Sequence, residues 1–167
     1  MAVAQFDKTV EIGKEDEQRA EEYFKKHNIK YENISLNKGY HDFMTDKLGR
    51  VEVKRNYTDA QKYHPGLFFW VETEVGDNQG WWYKTTADHF LFFNGEGSAI
   101  LIKNDAVFKD FINDLIENGD RYINRFDYKN DERYNRIIQA KCMRCYLEQL
   151  ENTGVNLIKL AKRSRIS

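Results

Sequence analysis

Residues 40–54, YHDFMTDKLGRVEVK, constrain the fold of this chain more than any other stretch. Val51, Glu52, Val53 and Lys54 alternate apolar and charged, the period of a strand with one face buried. Glu52 and Lys54 are two residues apart and therefore point to the same face. Upstream, Tyr40 to Thr45 reads as extended, and Asp46-Lys47-Leu48-Gly49 carries turn chemistry. A loop Lys47-Leu48-Gly49, with Gly49 in the left-handed region, is a common hairpin connection. This register sets Met44 opposite Glu52 and Asp42 opposite Lys54, so Asp42 joins their face. Strand parity is strict, and a loop of even length without a bulge would send Asp42 to the other face.

The three side chains make a chemical set. Two carboxylates and a backbone carbonyl, for which Val53 is the natural donor, suit Mg²⁺ or Mn²⁺, which take oxygen ligands. Such a cation acidifies water and neutralises charge building on a phosphate. Lys54 is placed to orient that water or to stabilise the developing charge. Glu-x-Lys alone is equally an exposed strand pair of no consequence; the preceding acid is what singles these residues out.

At 167 residues the chain is long enough for one domain with a substantial core. A composition 41% hydrophobic and 32% charged is that of a soluble protein, with no apolar run of membrane-spanning length. The opening MAVAQFDKTV lacks the basic flank and apolar run of a secretory signal, so a cytoplasmic location is the expectation. A net charge of −1 provides no global attraction for nucleic acid, and any basic surface must be local. The two cysteines, Cys142 and Cys145, form a lone CxxC with no second pair and no histidine nearby in sequence. They read as packed thiols on a helix.

Along the chain, residues 14–27 read as a helix with Ala20, Tyr23, Phe24 and His27 inward and Asn28 as its C-cap. Glu17 lies at the edge of that face, either approaching the hairpin site or solvated. Residues 29–36 suggest a strand, Asn37-Lys38-Gly39 a turn, and residues 55–66 a loop or short helix. GLFFWVETEV from Gly66 is strongly β-prone, with Phe68, Trp70, Glu72 and Glu74 on one face. A glycine-rich turn then leads to Trp81 and Trp82, which read as partly core with base stacking as the alternative. A Lys84-Thr85-Thr86 cap and short helical turn precede strands at 89–93 and 98–103. From Asp105 the period is helical, with Val107, Phe108, Phe111, Ile112, Leu115 and Ile116 inward and a stop near Gly119. Further helices are expected at 132–150 and 155–161. The tail Lys162-Arg163-Ser164-Arg165 is the clearest basic patch and a candidate phosphate contact. The expected architecture is α+β: a mixed sheet flanked by helices in a core over 1–103, and a C-terminal helical extension of the same domain over 104–167.

This order resembles the PD-(D/E)xK nuclease superfamily, with its restriction-endonuclease-like fold, and within it the Holliday-junction-resolvase-like and phage-type nucleases. The likeness covers about residues 14 to 103 and rests on Glu17 in the first helix, Asp42 in NKGYHDF and Glu52-Val53-Lys54 in RVEVKRN. The Gly66 strand, Gly80-Trp81 and Lys84-Thr85-Thr86-Ala87-Asp88 are similar to the family's segment entering the next strand. The resemblance implies Mg²⁺-dependent hydrolysis of DNA phosphodiesters, with Mn²⁺ as substitute. It implies Asp42 and Glu52 as metal ligands, Lys54 as the water-orienting or transition-state lysine, and Glu17 as an accessory acid. Lys84, Thr85, Lys162, Arg163 and Arg165 are the candidate DNA contacts. A junction resolvase would further imply a homodimer with two-fold symmetry. His41 stands where the superfamily's proline would be, and Asp46, at the turn, is the weaker rival of Asp42. The alternative function is a non-catalytic DNA-binding or assembly module that retains the fold.

Overall fold

The computed structural model describes residues 2–35, 41–55, 68–93, 99–119, 121–127 and 137–160. The first helix, α1 (Ala2–Lys26), extends well before the expected start at Lys14. Ala20 and Phe24 are buried, while His27, expected inward, is exposed beside Tyr23. Lys25 and Lys26 close the helix where its dipole favours cations. Asn28 adopts φ 54°, a region its short polar side chain tolerates, and ends the helix.

Three short strands follow as an antiparallel meander: β1 (Tyr31–Asn33), β2 (Phe43–Thr45) and β3 (Gly49–Arg55). The chain then makes β4 (Phe68–Val75), β5 (Asn78–Gln79) and the four-residue helix α2 (Trp81–Lys84). It returns as β6 (His89–Phe93), parallel to β3, and continues into antiparallel β7 (Ala99–Lys103). After α3 (Ala106–Asn118) come β8 (Arg121–Asp127), β9 (Ile137–Tyr146), the short helix α4 (Leu147–Glu151) and β10 (Leu157–Leu160). These strands form a six-stranded sheet, β1-β2-β3-β6-β7-β10, and a four-stranded sheet, β5-β4-β9-β8. The molecule is a mixed α/β structure, as expected.

The centre of the larger sheet, β6 and β7, is buried on both faces. Leu91, Phe93, Ala99 and Leu101 pack with Phe43 and Val51 against Ala20 and Phe24 of α1. Phe90, Phe92, Ile100 and Ile102 face the other way, against Phe69 and Val71 of β4, Met143 and Cys145 of β9, and Phe108 and Ile112 of α3. Strand alternation divides one hydrophobic run, HFLFF, between two cores.

The C-terminal third departs from expectation. Helix α3 lies where its period placed it, capped by the Asp105 carboxylate accepting from the Phe108 N–H at 3.1 Å and stopping at Gly119. Of its stripe, Phe108 and Ile112 are buried, but Val107 is 44% exposed. The helix expected over 132–150 is instead a strand from Ile137 to Tyr146 followed by α4; residues 132–136 lie outside the described residues. The spacing of Cys142 and Cys145 mimics a helical face, yet Met143, Cys145 and Leu147 alternate into one core. The aromatic strand β4 decides between them by taking β9 as partner, Phe69 opposite Cys145 and Val71 opposite Met143. The helix expected over 155–161 is likewise β10, paired with β7 after a turn at Gly154, φ 79°. Among its described residues, the C-terminal segment is thus α3, the short α4 and strands that complete both sheets, rather than a helical extension. Among the described residues, no helix is long and apolar enough to cross a membrane.

Candidate active site

The hairpin that carries the site has an odd loop, one residue earlier than expected. Thr45 pairs with Gly49, Met44 with Arg50 and Phe43 with Val51, leaving Asp46-Lys47-Leu48 as the connection. Met44 is therefore opposite Arg50 rather than Glu52, and Asp42 lies beside the Glu52 end of the pairing instead of opposite Lys54. Thr45 pins this tighter register: its hydroxyl donates to the Gly49 carbonyl at 2.9 Å and accepts from the Leu48 N–H at 2.9 Å. Gly49 has φ 67°, and a Cβ there would collide with the Asp88 carboxylate. That carboxylate accepts from the Arg50 N–H at 2.8 Å and from its guanidinium at 3.1 and 3.2 Å, locking β3 to the entrance of β6. The shift is of two residues in register, so the parity that matters is kept.

Just before β2 begins, Asp42 continues its pairing. Its N–H donates to the Val51 carbonyl at 2.9 Å, and its carbonyl accepts from the Ile34 N–H at 2.9 Å. Its carboxylate Oδ2 then accepts from the Val53 N–H at 2.8 Å. A side chain thus satisfies a strand amide that the departing backbone leaves free, and the acid is held against β3.

Val51 and Val53 point to the α1 side, so Glu52 and Lys54 point to the side of α2. Glu52 is only 7% exposed, a burial that demands partners for its charge. Lys54 Nζ lies 2.7 Å from Glu52 Oε1, and the Thr85 hydroxyl donates to Glu52 Oε2 at 2.5 Å. The Lys54 ammonium also lies 5.0 Å from the centroid of the Trp81 ring, within cation–π range. Trp81 opens α2, and its N–H donates to the Glu72 carboxylate. Gly80 precedes it with no room for a Cβ against the backbone of Glu72, which brings α2 hard onto β4.

The electrostatics single out Asp42. Burial pushes its carboxyl up to about 6 from 3.8; Glu52 and Glu17 push the same way, against the Val53 N–H and Lys54. Glu17 is thus close enough for its charge to be felt, while its carboxylate accepts from Asn33 Nδ2 at 3.4 Å and from the Ser35 hydroxyl at 3.2 Å. Glu72 is raised by burial, opposed by the Trp81 N–H and by Lys54 and Lys84. His41, in the proline position, is lowered first by burial and then by Arg50, against Glu52 and Asp88; its Nδ1 is 2.9 Å from the Thr86 hydroxyl.

Asp42, Glu52 and Lys54 are therefore brought together, with Glu17 at the rim. Asp46 is turned away: its carboxylate accepts from the Lys30 N–H at 2.9 Å. Lys84 is exposed near Glu72, whereas Thr85, expected at the DNA, directs its hydroxyl to Glu52. Lys162, Arg163 and Arg165 lie outside the described residues. Sequence reasoning missed the parts played by Thr85, Trp81 and Glu72, which converge through a crossover no local pattern encodes. Among the described residues no group of three His, Cys, Asp or Glu side chains forms a ready metal cluster. The pair Asp42 and Glu52 nevertheless fits a hard divalent cation, because two oxygen donors lie on one side and burial disfavours the charge of Asp42 until a cation balances it.

Comparison of the chain with protein-family models, with curated proteins and with solved structures finds no match.

Proposed function

We propose that this protein is a metal-dependent nuclease that hydrolyses DNA phosphodiester bonds, with branched DNA of the Holliday-junction type as a candidate substrate. The observation that carries the reading is the convergence of a buried Glu52, its Lys54 partner and an Asp42 held by the Val53 N–H on one face of an odd-looped hairpin. Mg²⁺, or Mn²⁺ in its place, would be held by Asp42, Glu52 and the Val53 carbonyl, and supplies charge neutralisation and an acidified water. Lys54 brings a cation to the phosphate, its ammonium restrained by Glu52 and by the Trp81 ring. Glu17 adds negative charge at the rim, and Lys84 offers a phosphate contact on the exposed side of α2. The reading carries a cytoplasmic location and, for a junction resolvase, a homodimer presenting two sites.

One observation favours a non-catalytic DNA-binding or assembly module instead: both oxygens of Glu52 already have donors, Lys54 and Thr85. Cleavage assays separate the two. A labelled four-way junction, a duplex and a single strand are incubated with Mg²⁺, Mn²⁺ or EDTA, using wild type and Glu52→Gln. The nuclease predicts metal-dependent cutting by wild type, lost by at least about 100-fold in the near-isosteric Glu52→Gln protein. Lys54→Ala should lose rate more than metal affinity, part of which goes with its hold on Glu52 Oε1. Cutting by Glu52→Gln at the wild-type rate would sink the site, and DNA binding without any cutting would favour the module.

A further inference from the structure

We propose that Thr85 is a positioning residue, whose hydroxyl fixes the rotation of the Glu52 carboxylate for divalent-cation binding together with Asp42. The inference rests on the nuclease reading and deepens it.

A threonine hydroxyl has one proton, and here its direction is determined. The Ala87 N–H donates to Thr85 Oγ1 at 3.2 Å, which leaves the hydroxyl proton for Glu52 Oε2, 2.5 Å away. The Thr85 backbone is itself held as the C-cap of α2, its N–H donating to the Trp81 carbonyl at 2.9 Å. Helix α2 is anchored in turn by Gly80 against β4 and by Trp82, whose Nε1 donates to Asn113 Oδ1 of α3 at 3.3 Å. The hydroxyl therefore projects from a rigid support.

On the opposite oxygen, Lys54 Nζ sits 2.7 Å from Oε1. One donor on each oxygen fixes the carboxylate plane, and a carboxylate with about four lone-pair sites keeps acceptor capacity for a cation. A carboxylate held on one oxygen alone rotates about its last bond, a broad and soft torsion. Partners that orient a metal ligand are typically worth about 10–100-fold in metal affinity or activity. Thr85 is within hydrogen-bond reach of Glu52 and supplies this orientation without itself binding the cation.

The test is Mn²⁺ binding measured by calorimetry on the full chain without nucleic acid, for wild type, Thr85→Val, Thr85→Ser, Glu52→Gln and Thr85→Val/Glu52→Gln. Thr85→Val, near-isosteric but without the hydroxyl, should weaken Mn²⁺ by about 10–100-fold while its melt stays cooperative at a somewhat lower temperature. Thr85→Ser should bind like wild type. In the Glu52→Gln background the valine should cause no further loss, because the effect runs through Glu52. Should Thr85→Val fail to fold, Thr85→Ala removes the hydroxyl without placing a methyl against Glu52. Glu52-dependent Mn²⁺ binding that Thr85→Val leaves unchanged overturns the role of Thr85 alone, as does an equal loss in the Glu52→Gln background. Wild type that neither binds Mn²⁺ nor cuts DNA overturns the nuclease reading and this inference with it.

Discussion

Asp42 is where stability and the proposed chemistry pull in opposite directions. Its carboxyl is raised from 3.8 to about 6, so between these values the folded chain holds a proton that the unfolded chain has released. Its contribution is thus most favourable below about pH 4, declines as pH rises, and is a constant cost above about pH 6. At about 1.4 kcal/mol per unit, that cost is roughly 1–3 kcal/mol. Asp42→Asn should remove it, since an amide oxygen can still accept from the Val53 N–H. The expected result is a variant more stable than wild type at pH 7.5 by that amount and nearly equal to it at pH 4, read from urea denaturation midpoints. Equal stability at both pH values would mean that the carboxyl is not burdened as the geometry implies. Asp42, Glu52 and Lys54 could be recognised in the sequence because strand parity is a local rule. Thr85 could not, because its link to Glu52 spans a separation of 33 residues and depends on how α2 is carried back to the sheet.

At the scale of elements, the hairpin was legible in its parity and misread in its register. The sequence shows a glycine at the end of the loop, but not that Thr45 would close the turn one residue earlier. Gly49 matters for two separable reasons, its φ of 67° and the Asp88 carboxylate that occupies the space of a Cβ. Gly154 shares only the first, with φ 79° and open space where a Cβ would stand. Gly154→Ala should therefore cost about 1 kcal/mol, the left-handed penalty alone. Gly49→Ala should cost about 2–4 kcal/mol, because it also displaces the acceptor of three Arg50 hydrogen bonds. Chemical denaturation of the two variants decides it; equal losses would mean that Asp88 moves aside freely. The strands β9 and β10 were misread as helices for the converse reason. Thiols three apart and a run of apolar and basic residues fit a helix locally, and only the unpaired edges of β4 and β7 turn them into strands.

For the whole molecule, these C-terminal strands replace the helical extension that the order of elements suggested after residue 103. Strand β9 lies between β4 and β8, and Met143, Cys145, Leu147 and Leu150 are buried in the same core as Phe90 and Phe92. Phe69 stacks on Phe92 with ring centroids 4.1 Å apart, but β4 is held in that position by its ladder to β9. A fragment of residues 1–103 would keep Asp42, Glu52 and Lys54 in sequence yet lose the strand that backs β4, the helix α3 that anchors Trp82, and β10 on the sheet edge. Helix α2 would then lack support, and with it the placement of Thr85 and Trp81 around the acid–lysine pair. The fragment should show neither the near-ultraviolet dichroism of packed aromatics nor a cooperative melt, while the full chain shows both. A fragment that melts cooperatively would make the hairpin core an independent folding unit, and the second sheet an addition to it. Failure to fold would mean that the site, though its Asp42, Glu52 and Lys54 come from one hairpin, exists only when the last third of the chain has closed both sheets behind it.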